Sequence, residues 1–551
     1  MLYRDICRTL GFYLWFFLLP LSLPSCIAIY CDWIATPGTY PQPSSAAAFI
    51  LTLLVTAILG ALFYWIGRKG TGQLYRREAL LLVLIVYFLT PAVGGLPFLL
   101  NKTFQNPLDS YFEAVSALTT TGATLIFPKK YDPQTGREIP YIKTIDAGKK
   151  TTYTFYGTIK PVQDPVTHQQ LEGLSAVSVS LLFWRSFMQW LGGGGIVVLV
   201  VAILPALGVG GKFLFQTEVT GPTKDSMLPR IKETASKLWK IYLTLTVIEI
   251  FLLMATQCKK MSLFDAITVS MATISTGGLV PRNEGISYYD SPYIDSVVMA
   301  FMIFGSVNFS LYFYCVRGRF SRLKDPETKI FFAILLLACL FAAWQLSGTL
   351  LAPLIEQQTQ TRMNFLQALR YGAFQMISAQ SSTGFATANF DLWPFSVQVL
   401  MLILMFIGGM AGSTAGGIKV IRIQTFFRIL LNKIESIYRP DTVRTYRIGN
   451  AVIDQHTATT VLCLIMIAAS LIIVGTFLLV FDGVDPETSL TTITCMANNG
   501  GFAFRMGGPT ESFAFLSVFG KILSCFWMIA GRLEYYALLI AFIPAFWRTT
   551  Y

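Results

Sequence analysis

Four short polar segments, each with a glycine, interrupt an otherwise apolar chain: Thr119-Thr120-Thr121-Gly122, Ile274-Ser275-Thr276-Gly277, Ser381-Ser382-Thr383-Gly384 and Ala497-Asn498-Asn499-Gly500. These residue types suit the coordination of a bare cation. Glycine lets the backbone turn its carbonyls toward an ion, the hydroxyls and amides beside it add oxygens and brace the loop, and several such loops around one axis can replace a hydration shell. A single Thr-Gly pair means little, since others stand at 71–72, 135–136 and 220–221 and read as turns. Four segments recurring at about 110 residues, once the polar stretch 127–172 is set aside, point to a repeated unit too long for a solenoid.

The elements that must position these segments follow from the flanking sequence. Ahead of each glycine runs an amphipathic stretch too short to cross a bilayer: Pro107 to Leu118, Ser262 to Thr273, Asn364 to Gln380 and Glu487 to Met496. Each fits a half-helix that enters the membrane and stops midway. Non-helical backbone at that depth is tolerated only against protein or water. The carboxyl ends of four such half-helices carry partial negative charge, which favours cations on the axis and disfavours anions.

Composition agrees with a membrane setting. The chain of 551 residues is 54% hydrophobic and 13% charged, with a mean hydropathy of +0.57. Ten apolar runs are predicted to span, near 10–30, 46–66, 79–99, 177–206, 240–257, 292–316, 329–352, 394–422, 456–481 and 513–546. The first is longer than a signal-peptide core and lacks a small-residue cleavage site. Alternate connections are basic, with Arg68 and Arg76, Lys232 and Lys237, Arg317 and Arg322, and Arg422 and Arg447 among them. By the positive-inside rule these loops and both termini are cytoplasmic, and the four glycine segments face outward. The net charge of +12 therefore reports topology and not nucleic-acid binding. The stretch 127–172 is expected outside, with a small hairpin through Thr151 to Ile159.

Two further constellations lie within the spans. Gly408, Gly409, Gly412, Ser413, Thr414, Gly416 and Gly417 fall in one apolar run. Each glycine costs a helix about 1 kcal/mol relative to alanine, so the run is predicted to break near mid-membrane; close helix packing is the competing reading. Arg532 lies in the last span, where a charge must face water or a partner, or snorkel to the interface. Gly192 to Gly195 read as tight helix packing, since no Gly-Lys-Ser/Thr follows. Nine cysteines without a C-x-x-C pair and two histidines do not make a zinc site. No paired-carboxylate or nucleotide fingerprint supports an enzyme.

The residues around the glycines carry a resemblance. Phe112-Glu113-Ala114, Gln189-Trp190-Leu191-Gly192-Gly193-Gly194-Gly195-Ile196, Ala202-Ile203-Leu204-Pro205, Gly208-Val209-Gly210-Gly211, Phe264-Asp265-Ala266, Tyr289-Asp290-Ser291-Pro292, the run Gly408 to Arg422 and Gly531-Arg532-Leu533-Glu534 resemble the TrkH branch of the Trk/Ktr/HKT superfamily of potassium transporters, over nearly the whole chain.

The resemblance implies an all-α polytopic membrane protein of four M1-P-M2 repeats around one pore, preceded by two N-terminal helices. The corresponding boundaries are 1–78 for the N-terminal pair, then 79–211, 212–322, 323–447 and 448–551 for the repeats. It implies a potassium filter of Thr120, Thr121, Gly122, Ser275, Thr276, Gly277, Ser382, Thr383, Gly384, Asn498, Asn499 and Gly500. The run 408–417 becomes a gating loop beneath that filter, and Arg532 a pore-facing barrier. It further implies K⁺ as the transported ion with no organic cofactor, a homodimer in the lipid bilayer of the cell inner membrane, and a TrkA-like cytosolic nucleotide-binding subunit docking on 212–240 and 422–447. Sodium permeation, or symport with H⁺ or Na⁺, is the alternative within transport. A membrane-embedded enzyme or scaffold subunit is the alternative of another class. The chain departs from the family pattern twice: in the insertion 127–172, which the resemblance to members lacking it implies is dispensable for conduction, and in the fourth motif, where Gly501-Phe502 follows Gly500 in place of the usual Asn-x-Gly-Pro.

Overall fold

The computed structural model describes residues 3–547 apart from 37, 72–73, 147–149, 167, 196–230, 257–260, 352–353, 355–361, 440–445, 449–450 and 454. The motifs Ala202 to Pro205 and Gly208 to Gly211, the boundary at 211/212 and most of the docking stretch 212–240 lie outside the described residues.

Two long helices, Tyr3–Ile29 and Ala46–Gly67, pack against each other at the N-terminus. Small residues allow the close approach: a Cβ on Gly11 would stand 2.8 Å from the Gly60 carbonyl oxygen. The remainder follows one pattern four times, a long helix, a half-helix and a shorter second helix. The sets are Arg76–Gly94, Pro107–Leu118 and Val179–Gly193; Ile231–Met254, Leu263–Ile274 and Pro292–Ser306; Pro326–Leu346, Phe365–Gln380 and Phe395–Ile407; and Gln455–Phe481, Pro486–Asn498 and Val518–Arg532.

Local chemistry starts each half-helix where the sequence places it. The side chains of Asn106, Ser262, Asn364 and Asp485 accept from the backbone N–H of Leu108, Asp265, Gln367 and Thr488, and Asn364 with Gln367 forms a reciprocal capping box. Ion pairs tether three of the half-helices near their starts to other elements: Asp109 to Lys521 at 2.7 Å, Asp265 to Arg282 at 2.9 Å, and Arg370 to Asp295 at 2.6 Å.

The ten expected spans are met unevenly, and the run 177–206 lies partly outside the described residues. Among the described residues five helices are long and apolar enough to cross, or six when Pro292–Ser306 and Phe309–Val316, bent by 97°, count as one. The reason is common to the repeats. Every second helix has 13 or 15 residues, so at 1.5 Å per residue each is roughly 20 Å long, short of the bilayer core of about 30 Å. They stop at Gly193, Ser306, Ile407 and Arg532. Summed hydropathy runs through these points, but glycines, Asn308 and the positive-φ pair Glu534 and Tyr535 end the helix there.

The insertion folds as three two-stranded antiparallel pieces: Lys130–Tyr131 with Glu138–Ile139, Tyr141–Asp146 with Lys150–Phe155, and Val162–Gln163 with Gln170–Leu171. The expected hairpin is present, but its second strand begins at Lys150 and ends at Phe155, short of Ile159. Phe127, Tyr141 and Phe155 pack ring to ring at its base.

Candidate ion pathway

The four half-helices end in the same backbone event. One residue past the turn, Thr120, Thr276, Ser382 and Asn499 take φ values of 55°, 52°, 56° and 51°, and two residues later Gly122, Gly278, Gly384 and Gly501 take 81°, 82°, 85° and 73°. The first four are non-glycine residues in the left-handed region, a strained conformation. The four glycines then meet. A Cβ on Gly122 would stand 2.1 Å from the Gly277 carbonyl oxygen and 3.3 Å from Gly501 Cα; on Gly278, 2.0 Å from the Thr383 oxygen; on Gly384, 2.6 Å from Gly501 Cα. The contacts run first repeat to second, second to third, third to fourth and fourth to first, closing a ring.

This geometry shifts the register expected for two loops. Gly277 and Gly500 were assigned to the ring position, yet the positive-φ glycines are Gly278 and Gly501. Gly277 and Gly500 occupy the place held by Thr121 and Thr383. The physical reason is that the reversal at Thr276 and Asn499 puts the left-handed turn two residues downstream, and both loops carry a second glycine there. Gly501 is thus the ring glycine, and Phe502 follows it.

Polar side chains hold the loops from behind. Buried Glu113 accepts from Thr124 Oγ1 at 2.9 Å and Leu125 N at 3.0 Å, and pairs with buried Arg185 at 2.8 Å. Removing one member of such a buried pair typically costs about 3–5 kcal/mol. Gln375, at the matching place in the third half-helix, accepts from Thr387 N at 2.9 Å and donates to the Phe385 oxygen. Gln189 donates to the Gly277 oxygen at 2.6 Å and accepts from Leu279 N at 3.1 Å, so a second helix of one repeat braces the loop of the next. Asn499 donates to Thr121 Oγ1 at 2.9 Å, joining the fourth loop to the first. Sequence reasoning assigned no role to Glu113, Arg185 or Gln189. Two opposite charges inside apolar segments were the available signal.

Above the ring a cavity of about 140 Å³ is lined by all four ring glycines together with Phe390 and Glu511. Asp391, next in the chain to cavity-lining Phe390, accepts from the Arg505 backbone N–H, and burial raises its carboxyl above the ordinary aspartate range.

Below the ring, the helix Phe395–Ile407 stops at Gly408, whose φ is 72°, and the chain crosses as a loop to the helix Val420–Tyr438. This loop touches the lower ends of three half-helices. Gly416 N donates to Ser382 Oγ at 2.6 Å, Gly417 N to the Asn498 oxygen at 3.1 Å, and Thr414 Oγ1 to the Ile274 oxygen at 2.9 Å. Gly412, Met410 and Thr414 bond the break in the second repeat at Phe309, Ser306 and Gly305, and Ala411 N donates to buried Glu327 at 2.8 Å. The glycine run is therefore a loop and not a packed helix face. Gly409 and Ser413 lie within it, Ser413 Oγ bonding the Met410 oxygen.

Arg532 completes the floor. Its guanidinium donates to Thr120 Oγ1 at 3.2 Å, to the Thr414 oxygen at 3.3 Å and to the Gly192 oxygen at 2.6 Å. It enters no ion pair among the described residues. Glu534 points away and binds Arg422 at 2.6 Å. A positive charge thus sits beneath the ring, held by neutral oxygens of the first ring loop, the crossing loop and the first repeat's second helix.

An α-helical membrane chain in which four repeated half-helices converge on one ring, with a loop beneath it, has the architecture of a cation transport protein. The chain belongs to the TrkH family: the family profile described as cation transport protein matches residues 166–549. It is 31% identical to the Trk system potassium uptake protein TrkH of Escherichia coli K12 over 99% of both chains, and 32% identical to that of Vibrio parahaemolyticus over the whole of both. The crystal structure of the potassium transporter TrkH from Vibrio parahaemolyticus superposes with a TM-score of 0.77 at 29% identity, covering all of both chains. Membership of this family places the chain among transporters and not enzymes.

Proposed function

We propose that this chain is the potassium-translocating membrane subunit of a Trk-type uptake system. The observation that carries the reading is the ring of Gly122, Gly278, Gly384 and Gly501 stacked directly above the loop 408–417 and Arg532. The ring is the site where a partly dehydrated cation passes, and the backbone and hydroxyl oxygens of Thr120, Thr121, Ser275, Thr276, Gly277, Ser382, Thr383, Asn498, Asn499 and Gly500 are its neighbours. The crossing loop and Arg532 form the barrier that opens to admit flow. The chain sits in the cell inner membrane with both termini cytoplasmic, works as a homodimer, and receives a cytosolic nucleotide-binding subunit on the basic segment 422–447. That segment continues directly from the crossing loop, so a partner bound there has a lever on the barrier.

Rubidium flux into proteoliposomes of purified protein tests this reading, with choline as the impermeant control. Flux that depends on the chain and is competed by K⁺ supports it; no flux, with or without an activating partner, refutes it. Measuring the reversal potential under opposed K⁺ and H⁺ gradients then assigns the mode. A potential set by K⁺ alone means a channel, and one that moves with pH means symport.

A further inference from the structure

The insertion 127–172 reaches the pore. In the hairpin strand Lys150–Phe155, buried Tyr153 donates its hydroxyl to Asp485 Oδ1 at 2.5 Å and accepts from Asp485 N at 2.8 Å. Asp485 is the residue that caps the fourth half-helix, its other oxygen accepting from Thr488 N at 2.9 Å. Burial raises the Tyr153 phenol above its ordinary value, so it remains a donor to the carboxylate. The Tyr153 ring packs edge-on to Phe515 at 5.6 Å, and on the paired strand Lys143 binds Glu511 at 2.6 Å. Glu511 and Phe513 line the cavity above the ring, and Phe513 N donates to the Thr124 oxygen at 3.0 Å, just past Gly122. The hairpin therefore holds both ends of the fourth loop: the cap of the half-helix that leads into it, and the segment that leaves it along the mouth.

We propose that the inserted hairpin Tyr141–Phe155 is an outer clamp on the fourth repeat, in which Tyr153 and Lys143 are positioning residues that fix the fourth filter loop and thereby set ion discrimination. The proposal rests on the transport reading above. A short hydrogen bond from a phenol to a carboxylate is among the stronger neutral-to-charged contacts. Here it terminates on the cap of a half-helix whose far end is the strained turn at Asn499. Loss of the contact frees that helix to slide, and the ring, which closes through Gly384 to Gly501 and Asn499 to Thr121, loosens at its fourth member. The pairing of Lys143 with Glu511 also neutralises a carboxylate at the mouth.

The test is a double-substitution cycle on relative Na⁺ and K⁺ permeability in proteoliposomes, using Tyr153→Phe, Asp485→Asn and the pair. Asparagine caps a helix about as well as aspartate, so Asp485→Asn removes the charged bond to Tyr153 while the helix start is kept. Each single variant is expected to raise relative Na⁺ permeability severalfold, and the double variant to do no more than either alone. In a second pair, Lys143→Glu is expected to change the apparent affinity for external K⁺ and Glu511→Lys to restore it. Ile142→Thr, on the exposed side of the same strand, serves as the control. Additive effects in the cycle, or unchanged selectivity in all three variants while the parent conducts, overturn the clamp. Failure of the parent to pass rubidium strikes the transport reading instead.

Discussion

Replacing Arg532 with alanine isolates the contact on which closure depends if the crossing loop is the proposed barrier. Of the three acceptors of the guanidinium, Thr120 and Gly192 belong to the fixed frame, and the Thr414 oxygen belongs to the crossing loop. Only the last therefore distinguishes a blocked loop from a retracted one. A hydrogen bond from a charged donor contributes about 1.5–3 kcal/mol, and a length of 3.3 Å argues for the lower end. Because about 1.4 kcal/mol is a factor of ten in an equilibrium, Arg532→Ala should raise the retracted population roughly tenfold while the blocked state dominates. Loss of the positive charge below the ring acts in the same direction on cation passage. Arg532→Lys keeps the charge but cannot fork to three acceptors, so it should fall between parent and alanine. The assay is rubidium flux into proteoliposomes in the absence of any regulatory partner, normalised to inserted protein. A monodisperse alanine variant with flux equal to or below that of the parent would refute the assignment of Arg532 to the barrier.

The shifted register is testable with neighbouring glycines: Gly278→Ala and Gly501→Ala force a Cβ against backbone atoms at positive φ and should abolish selective uptake. Gly277→Ala and Gly500→Ala meet the side chains of Gln189 and Met405 instead of backbone and should retain more of it, and equal losses within each pair would restore the register read from the sequence. Gly122→Ser puts a side chain on the ring at positive φ and is expected to raise Na⁺ relative to K⁺; unchanged reversal potentials under bi-ionic conditions would count against it. Deleting residues between Gly412 and Gly417 removes the bonds to Ser382, Asn498 and Ile274, so basal flux should rise and control by a nucleotide-binding partner should weaken. A folded deletion variant no leakier than the parent would make the run a packing element.

The repeat architecture was legible because its signals are local and recur. Short amphipathic stretches and a polar glycine turn need no tertiary information. The break at Gly408 was legible for the same reason, since five glycines, a serine and a threonine in ten residues defeat a helix outright. Other breaks were not. Pro292 to Val316 averages as one apolar run, and only the backbone bonds of Ser306 and Phe309 to Met410 and Gly412, with the Asn308 side chain capping the second piece, show why it bends. Ring register was hidden because Gly277-Gly278 and Gly500-Gly501 offer two candidates each, and φ decides between them. The hairpin's grip on the pore was illegible in principle, since Tyr153 and Asp485 are 332 residues apart. Resemblance to a family lacking the insertion argued for independence, and the contacts argue otherwise.

The bond between Asp109 and Lys521 joins residues 412 apart, and that between Thr121 and Asn499 joins residues 378 apart. During synthesis the first half-helix therefore reaches the membrane long before its ionic partner leaves the ribosome. Until the last helix inserts, Asp109 is a carboxylate without its lysine and the first loop lacks a neighbour on one side. Contacts of such separation form late and slowly. A nascent chain therefore cannot close the ring before Gly501 has been made, nor pair Asp109 before the helix Val518–Arg532 is in place.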